Sequence, residues 1–273
     1  MQVNRDITRP VVQYFGGKWQ IAPWILSFMP THNVYVELFG GGGSVLLRKP
    51  RSHAEVYNDL DSEVVNIFRM LQDRPNELVR ALDLTPFSRE EYYLACEPCD
   101  EGDMVEKARR AIVRAFFGFG STGIFEGSRP GFRVGDKDSR VSNANMWRGY
   151  SDAVLAIVDR LRGVTIENLD ALEVIPPWDR EDTVFYADPP YLADLRKSKS
   201  VYTYEMAEAQ HIALLETLCR LKGTVLVSGY GSDLYDRMLA GWERHEKKVL
   251  AQGTGNDLES RARVEVLWVK SAG

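Results

Sequence analysis

Val34-Tyr-Val-Glu-Leu-Phe-Gly-Gly-Gly-Gly-Ser-Val-Leu-Leu-Arg48 is the stretch that decides the fold. Its first six residues alternate and favour strand, the four glycines make a turn, and Ser44 onward reads as the first turn of a helix. Working outward, Glu55-Val-Tyr-Asn58 predicts a second short strand ending at Asp59. Val64, Val65, Ile67, Phe68 and Leu71 then fall at helical spacing over 62–72. This β-α-β-α opening predicts a parallel α/β sheet. Further strands are predicted at 164–167, 183–187 and 224–228, with helices over 151–162 and 208–221, the second stopped by Gly223. Two closing β-rich runs, 242–250 and 263–270, flank the turn-rich Gly253-Thr-Gly-Asn256 and predict a terminal hairpin. Residues 74–150 break the rhythm. The capping-box patterns Ser88-x-x-Glu91 and Asp103-x-x-Glu106 start helices there, and a glycine- and aromatic-rich loop follows from Phe116 to Phe132. The expected architecture is a doubly wound, mainly parallel sheet built from 1–73 and 151–273, with 74–150 as a mostly helical insertion.

Composition narrows the class without naming a function. The 273 residues carry a formal charge of −5 and are 44% hydrophobic, as in an ordinary globular chain. No stretch approaches the roughly 18 apolar residues of a membrane span, and the first ten residues lack a secretory pattern. Cys96, Cys99 and Cys219 are too few for a disulfide framework, so a cytoplasmic setting is expected. Membrane, collagen-like, disordered and disulfide-scaffold classes are excluded. Charge is uneven, however. Between Lys107 and Arg148 lie nine basic residues, Arg114, Arg129, Arg133 and Lys137 among them, against three acids. A basic middle in an acidic chain suits a phosphate-contacting surface, although a solvated helix face would give the same count.

Three further features carry chemistry. The glycine turn sits between strand and helix, where backbone approaches a ligand closely. The dinucleotide fingerprint fails, because the position five after Gly40 or Gly41 is Val45 or Leu46. NAD is thereby disfavoured and another nucleoside-bearing cofactor stays open. Asp59, at the end of the second strand, is placed to accept ribose hydroxyls. Ala187-Asp-Pro-Pro-Tyr191 follows the apolar strand Val184-Phe-Tyr186. Its prolines remove two N–H donors and leave carbonyls free, Asp188 adds a carboxylate and Tyr191 an aromatic face. Such a group can accept both hydrogens of an exocyclic amine while stacking its ring.

Together these residues resemble the DNA amino-methyltransferases, specifically adenine-N6 enzymes of the DNA adenine methylase type (D12 class, with the DPPY motif). Tyr14-Phe-Gly-Gly-Lys18 is similar to the family's N-terminal cofactor motif, Val36-Glu-Leu-Phe-Gly-Gly-Gly-Gly-Ser44 to its glycine motif, and Tyr57-Asn-Asp-Leu-Asp61 to its ribose-binding segment. Asp188-Pro-Pro-Tyr191 matches the catalytic tetrapeptide, Asn168-Leu-Asp170 the segment at the cofactor's adenine, and Arg263-Val-Glu-Val-Leu-Trp268 the last strand. The matches occur in family order over roughly residues 12–270.

The resemblance implies a Rossmann-like fold, S-adenosylmethionine as methyl donor, no metal, and double-stranded DNA as substrate. Asp188, Pro189, Pro190 and Tyr191 would be catalytic, acting on a base rotated out of the duplex. Tyr14 and Lys18 would hold the methionine end of the cofactor, with Glu37, Phe39, Gly40 and Gly42 lining the same pocket. Asp59 would take the ribose and Asp170 the adenine amine, and Asp188 would also bind the cofactor. The family's target-recognition region corresponds to the basic insertion, where Arg114, Ser121, Thr122, Arg129, Arg133 and Lys137 are the expected DNA contacts, while Phe116 and Phe117 also fit plain core. A monomer is expected, with no membrane partner. Cytosine-N4 methylation uses the same tetrapeptide and stays open, as do an RNA methyltransferase and a DNA-binding relic without activity. A cytosine-C5 enzyme would need a nucleophile, for which Pro98-Cys99 is out of order, and Cys96-x-x-Cys99 lacks the second pair of a zinc site.

Overall fold

The chain is described from a computed structural model, which covers residues 7–12, 14, 16–99, 102–119, 131–133, 143–192, 204–250 and 262–272. Helix α1 (Ala22–Leu26) precedes β1 (Val34–Glu37), α2 (Ser44–Arg48), β2 (Ala54–Asn58) and α3 (Ser62–Asp73). Four helices follow: α4 (Pro75–Asp83), α5 (Arg89–Ala95), α6 (Met104–Phe117) and α7 (Asn143–Arg148). Then come α8 (Tyr150–Leu161), β3 (Val164–Glu167), α9 (Ala171–Val174), a 3-10 turn (Pro176–Trp178) and β4 (Thr183–Ala187). The chain continues through α10 (Glu208–Arg220), β5 (Thr224–Tyr230), α11 (Asp233–Met238), β6 (Glu243–Leu250) and β7 (Ala262–Lys270). The expected strands and capped helices are all present. Ser88 and Asp103 accept from the backbone N–H of Glu91 and Glu106. Helices α1, α4, α7, α9 and α11 escaped the sequence reading because each is too short, or too close to a neighbouring signal, to show its own periodicity.

One sheet runs in the order β3-β2-β1-β4-β5-β7-β6. The first five of these strands are parallel, and β7 is antiparallel to both β5 and β6, which makes the expected hairpin. The chain moves outward from β1 to β2 to β3, then returns to lay β4 against the other side of β1. That reversal opens a crevice above the carboxyl ends of β1 and β4, the place where doubly wound sheets bind ligands.

Alternate residues of each strand enter opposite apolar layers. Tyr35, Tyr57, Tyr186 and Leu226 face one layer, and Val36, Val56, Phe185 and Val227 face the other. Helices α9, α10 and α11 cover the second layer. Residues Leu78, Leu82, Tyr92, Ile112 and Phe117 of the segment 74–150 pack in the first layer with Val65 and Ile157. The insertion therefore continues one face of the sheet rather than closing a core of its own. Among the described residues no helix is long and apolar enough to cross a membrane.

A buried ion cluster ties α2, β2 and α8. Glu55 accepts from Lys49 at 2.5 Å and from both terminal nitrogens of Arg160 at 2.6 and 2.9 Å. Arg160 also donates to the Leu46 carbonyl at 2.7 Å. Burial pushes the Lys49 ammonium down to about 8, against the pull of Glu55. Removing one partner from a buried cluster leaves the others uncompensated, which costs about 3–5 kcal/mol. Glu55→Ala should therefore lower the unfolding free energy by about that amount in urea denaturation. A loss below about 1 kcal/mol, the range of an exposed pair, would contradict a structural role for the cluster.

Candidate active site

The glycine turn is shaped by two tyrosines. A Cβ on Gly40 would lie 2.2 Å from the Tyr57 ring, and one on Gly41 would lie 2.8 Å from the Tyr14 ring. Gly41 and Gly43 have φ of +47° and +65°, in the left-handed region that favours glycine. Tyr57 donates its hydroxyl to the Gly41 carbonyl at 2.6 Å, and Gly40 N–H donates to the Asn58 carbonyl at 2.7 Å. The loop is thereby clamped to the end of β2. Gly42, where a Cβ would come 3.1 Å from the Val12 carbonyl, faces the N-terminal segment.

Asn58 joins the next strand end. It donates to the carbonyls of Leu38 and Leu169 and accepts from Leu169 N–H, so the loops after β1, β2 and β3 share one side chain. Asp59 accepts from Gly41 N–H at 2.7 Å and from Asp61 N–H at 2.8 Å. Burial pushes its carboxyl up to about 6, against the lowering effect of those N–H groups. Asp170 is exposed and caps α9 by accepting from Leu172 N–H. Glu37 is buried, accepting from the Tyr35 hydroxyl and Leu46 N–H, and burial pushes it up to about 8.

These loops enclose a cavity of about 490 Å3 in the crevice above β1 and β4. Of the residues expected there, Tyr14, Lys18, Glu37, Phe39, Gly40, Gly42, Asp59, Asp170, Asp188 and Pro190 all line it. Pro189 is buried outside the lining, and Tyr191 is 8% exposed and also outside it.

Asp188 stands at the end of β4 with both oxygens engaged. Oδ2 accepts from Lys18 Nζ at 2.7 Å and Oδ1 from the Ser228 hydroxyl at 2.8 Å. Tyr186 shares a further hydroxyl contact with Ser228 at 2.8 Å. Lys18 also donates to the Tyr191 hydroxyl at 2.6 Å and the Gly16 carbonyl at 2.9 Å, and lies 3.5 Å from Glu265. Tyr191 in turn donates to Glu265 at 2.8 Å, its ring 4.4 Å from that of Tyr230 and 4.9 Å from the Lys18 ammonium. Burial raises the Asp188 pKa, and Lys18 and Ser228 oppose that rise. With Lys18 and Ser228 each occupying one lone pair, a carboxylate still offers others toward the cavity.

Sequence reasoning missed Ser228 and Glu265. Ser228 follows Val227, which pairs with Ala187, so it falls beside Asp188 only once β4 and β5 are aligned. Glu265 is a lone carboxylate in the apolar alternation of β7, a signal present in the sequence but without a partner until Lys18 and Tyr191 arrive.

The basic middle needs a correction. Arg114 is 6% exposed and pairs with Glu63 while donating to the Ala95 carbonyl at 2.8 Å. It holds α6 against α3 and α5 and is not placed to meet DNA. Arg109 and Arg110 are likewise engaged by Glu106, and Arg109 also by Glu91. Phe116 and Phe117 are core. Arg133 is half-buried, follows Phe132 of the Gly118–Phe132 bridge, and does not line the 490 Å3 cavity. Ser121, Thr122, Arg129 and Lys137 lie outside the described residues. Cys96 and Cys99 are free, and among the described residues no group of three or more His, Cys, Asp or Glu is gathered to hold a metal.

Comparisons with known proteins bear on part of the chain. The family model of the D12 class N6 adenine-specific DNA methyltransferase matches residues 14–123, from Tyr14 through the glycine loop and Asp59 to the end of α6 and just beyond. Over that part, the chain is similar to the family that its motifs resemble. The chain is also 35% identical over 111 residues to the Type II methyltransferase M1.LlaDCHI of Lactococcus lactis subsp. cremoris. That match covers 39% of this chain and only 38% of the relative's length. The solved structure of SMU.472 complexed with SAH aligns with 98% of this chain and 56% of its own, at 13% identity and a TM-score of 0.40. So loose a likeness carries no weight, and the fold class stands on the sheet order itself.

The Lys18–Asp188 contact makes a direct prediction. Lys18 is the main group favouring the ionised carboxylate, so Lys18→Met should raise the Asp188 pKa further, read by 13C NMR of the labelled carboxyl. An unchanged or lower value would show that the contact does not set the charge of Asp188.

Proposed function

We propose that this protein transfers a methyl group from S-adenosylmethionine to the N6 amine of adenine in double-stranded DNA, acting as a cytoplasmic monomer. The observation that carries the reading is the Asp188 carboxylate, held by Lys18 and Ser228 at the rim of a cavity whose other walls are the glycine turn and Asp59. The D12 class match supports adenine over cytosine as the base.

The cavity fits the cofactor. Its volume lies within the roughly 300–1,000 Å3 usual for small-molecule sites. The backbone of Gly40–Gly42 admits close approach, Asp59 keeps lone pairs for ribose hydroxyls, and Asp170 stands exposed on the wall beyond it. Lys18 stands at the end nearest Asp188, and Tyr14 lines the cavity against Gly41. Bound there, S-adenosylmethionine supplies an electrophilic methyl group.

The protein's own residues then act on the amine. The lone pair of an adenine amine is delocalised into the ring and attacks poorly. An ionised Asp188 accepts one amine hydrogen, and the Pro189 carbonyl is the expected acceptor of the other, drawing the nitrogen toward tetrahedral geometry. Lys18 keeps Asp188 charged in a site where burial favours the neutral acid. Positioning in line supplies much of the acceleration. The base must leave the stack to reach Asp188, and Tyr191 is the residue assigned to its ring. Arg133 and the segment bearing Ser121, Thr122, Arg129 and Lys137 are the DNA side of the reading.

Asp188→Ala should reduce methyl transfer by more than about 100-fold while S-adenosylmethionine affinity, measured calorimetrically, stays within about threefold, equivalent to under 1 kcal/mol. Transfer surviving above a few per cent would sink the role of Asp188. In the unaltered enzyme, activity should fall on acidification at a pH above the ordinary aspartate range, because Asp188 accepts only when ionised and its pKa is raised. A profile flat down to the ordinary aspartate range would contradict that.

A further inference from the structure

A second cavity, of about 370 Å3, lies between the N-terminal segment, α6 and α8. Val12 lines it, and the Val12 carbonyl also abuts Gly42, which lines the first cavity. Tyr150 donates its hydroxyl to the Val11 carbonyl and fixes this shared wall. Two arginines, Arg9 and Arg133, line the second cavity, and none of its lining residues is an aspartate or glutamate.

Arg9 is held in an unusual way. Its guanidinium carbon lies 4.9 Å from the centre of the Phe116 ring and 4.6 Å from that of Tyr150. Its Nε is buried with no hydrogen-bond partner, and among the described residues no carboxylate pairs with it. Two ring contacts offset part of the cost of burying the charge, yet they leave its donors unused. A half-buried cation normally finds an anion. The rings fix the plane of the guanidinium, and a fixed fork of donors is the arrangement that matches a phosphate bidentately.

We propose that this cavity is a phosphate-binding site, with Arg9 as its fixed donor and Arg133 as a second cation. The phosphate belongs either to a DNA backbone or to a free phosphate ion, and both present the same oxygens. The assignment stands whether or not the protein methylates DNA, because it rests on Arg9 and its cavity alone.

Two binding assays on the intact chain test it, neither of which depends on methyl transfer. One follows the melting temperature during titration with inorganic phosphate, with chloride adjusted to keep ionic strength constant. The other measures affinity for unmethylated duplex DNA by fluorescence anisotropy over a range of salt. Both are run on the unaltered protein, Arg9→Gln and Met146→Glu. Met146 is exposed and lines the same cavity, so the second variant brings a carboxylate into the cavity without disturbing the core. The expected result is a saturable rise in melting temperature that both variants lose, or DNA binding that both weaken by about tenfold, with the slope of log K against log salt shallower by about 0.9 per lost phosphate contact. A change in the DNA assay alone identifies a backbone phosphate as the ligand, and a change in the phosphate assay alone identifies the free ion. If folded Met146→Glu matches the unaltered protein in both assays, the site does not exist, whatever becomes of Arg9→Gln.

Discussion

A single ammonium group, that of Lys18, governs the charge of the site. It meets Asp188 at 2.7 Å and Tyr191 at 2.6 Å, with Glu265 at 3.5 Å, so one cation faces two carboxylates. Burial raises the pKa of both acids, Lys18 opposes the rise in each, and in Glu265 the charge of Asp188 adds to it. Without the ammonium the two acids could not both stay ionised in so enclosed a place. Because Lys18 comes from the N-terminal segment, Asp188 from β4 and Glu265 from β7, the same contact also pins three distant parts of the chain around the mouth of the cavity.

The sheet order puts that contact where a ligand can use it. Strands β2 and β3 extend the sheet on one side of β1, and β4 and β5 on the other, which leaves their loops diverging above the switch point. Asn58 holds the loops of one half together through Leu38 and Leu169, and Tyr57 holds the glycine turn through the Gly41 carbonyl. Ser228 holds Asp188 from the other half. The cavity is thus bounded by two halves of the sheet that meet at β1 and β4. Asp59 and Asp188 stand on strand ends rather than on long loops, which limits their freedom to wander.

How much of this was legible in the sequence depended on whether the information was local. The strand, glycine turn and helix of 34–48 could be read because alternation and φ requirements are properties of neighbouring residues. Asp59 and Asp188 could be placed because each ends a strand. Arg114 was misread because the nine basic residues were counted over one window, while Glu63 and Glu91 lie outside it and reach α6 only through helix packing. Ser228 and Glu265 had no partner in the sequence for the same reason, as strand register brings them to Asp188 and Tyr191. Lys18 was expected at the cofactor, and in the structure its ammonium is shared with the Asp188 carboxylate while it still lines the cavity.

The proposed activity has a direct chemical readout. The protein would be incubated with unmethylated bacteriophage DNA and S-adenosylmethionine, and the DNA digested to nucleosides for mass spectrometry. N6-methyladenine is the expected product. N4-methylcytosine would keep Asp188 as the acceptor of an amine hydrogen but overturn the base. No methylated nucleoside, with cofactor binding confirmed in the same preparation, would contradict DNA methylation altogether.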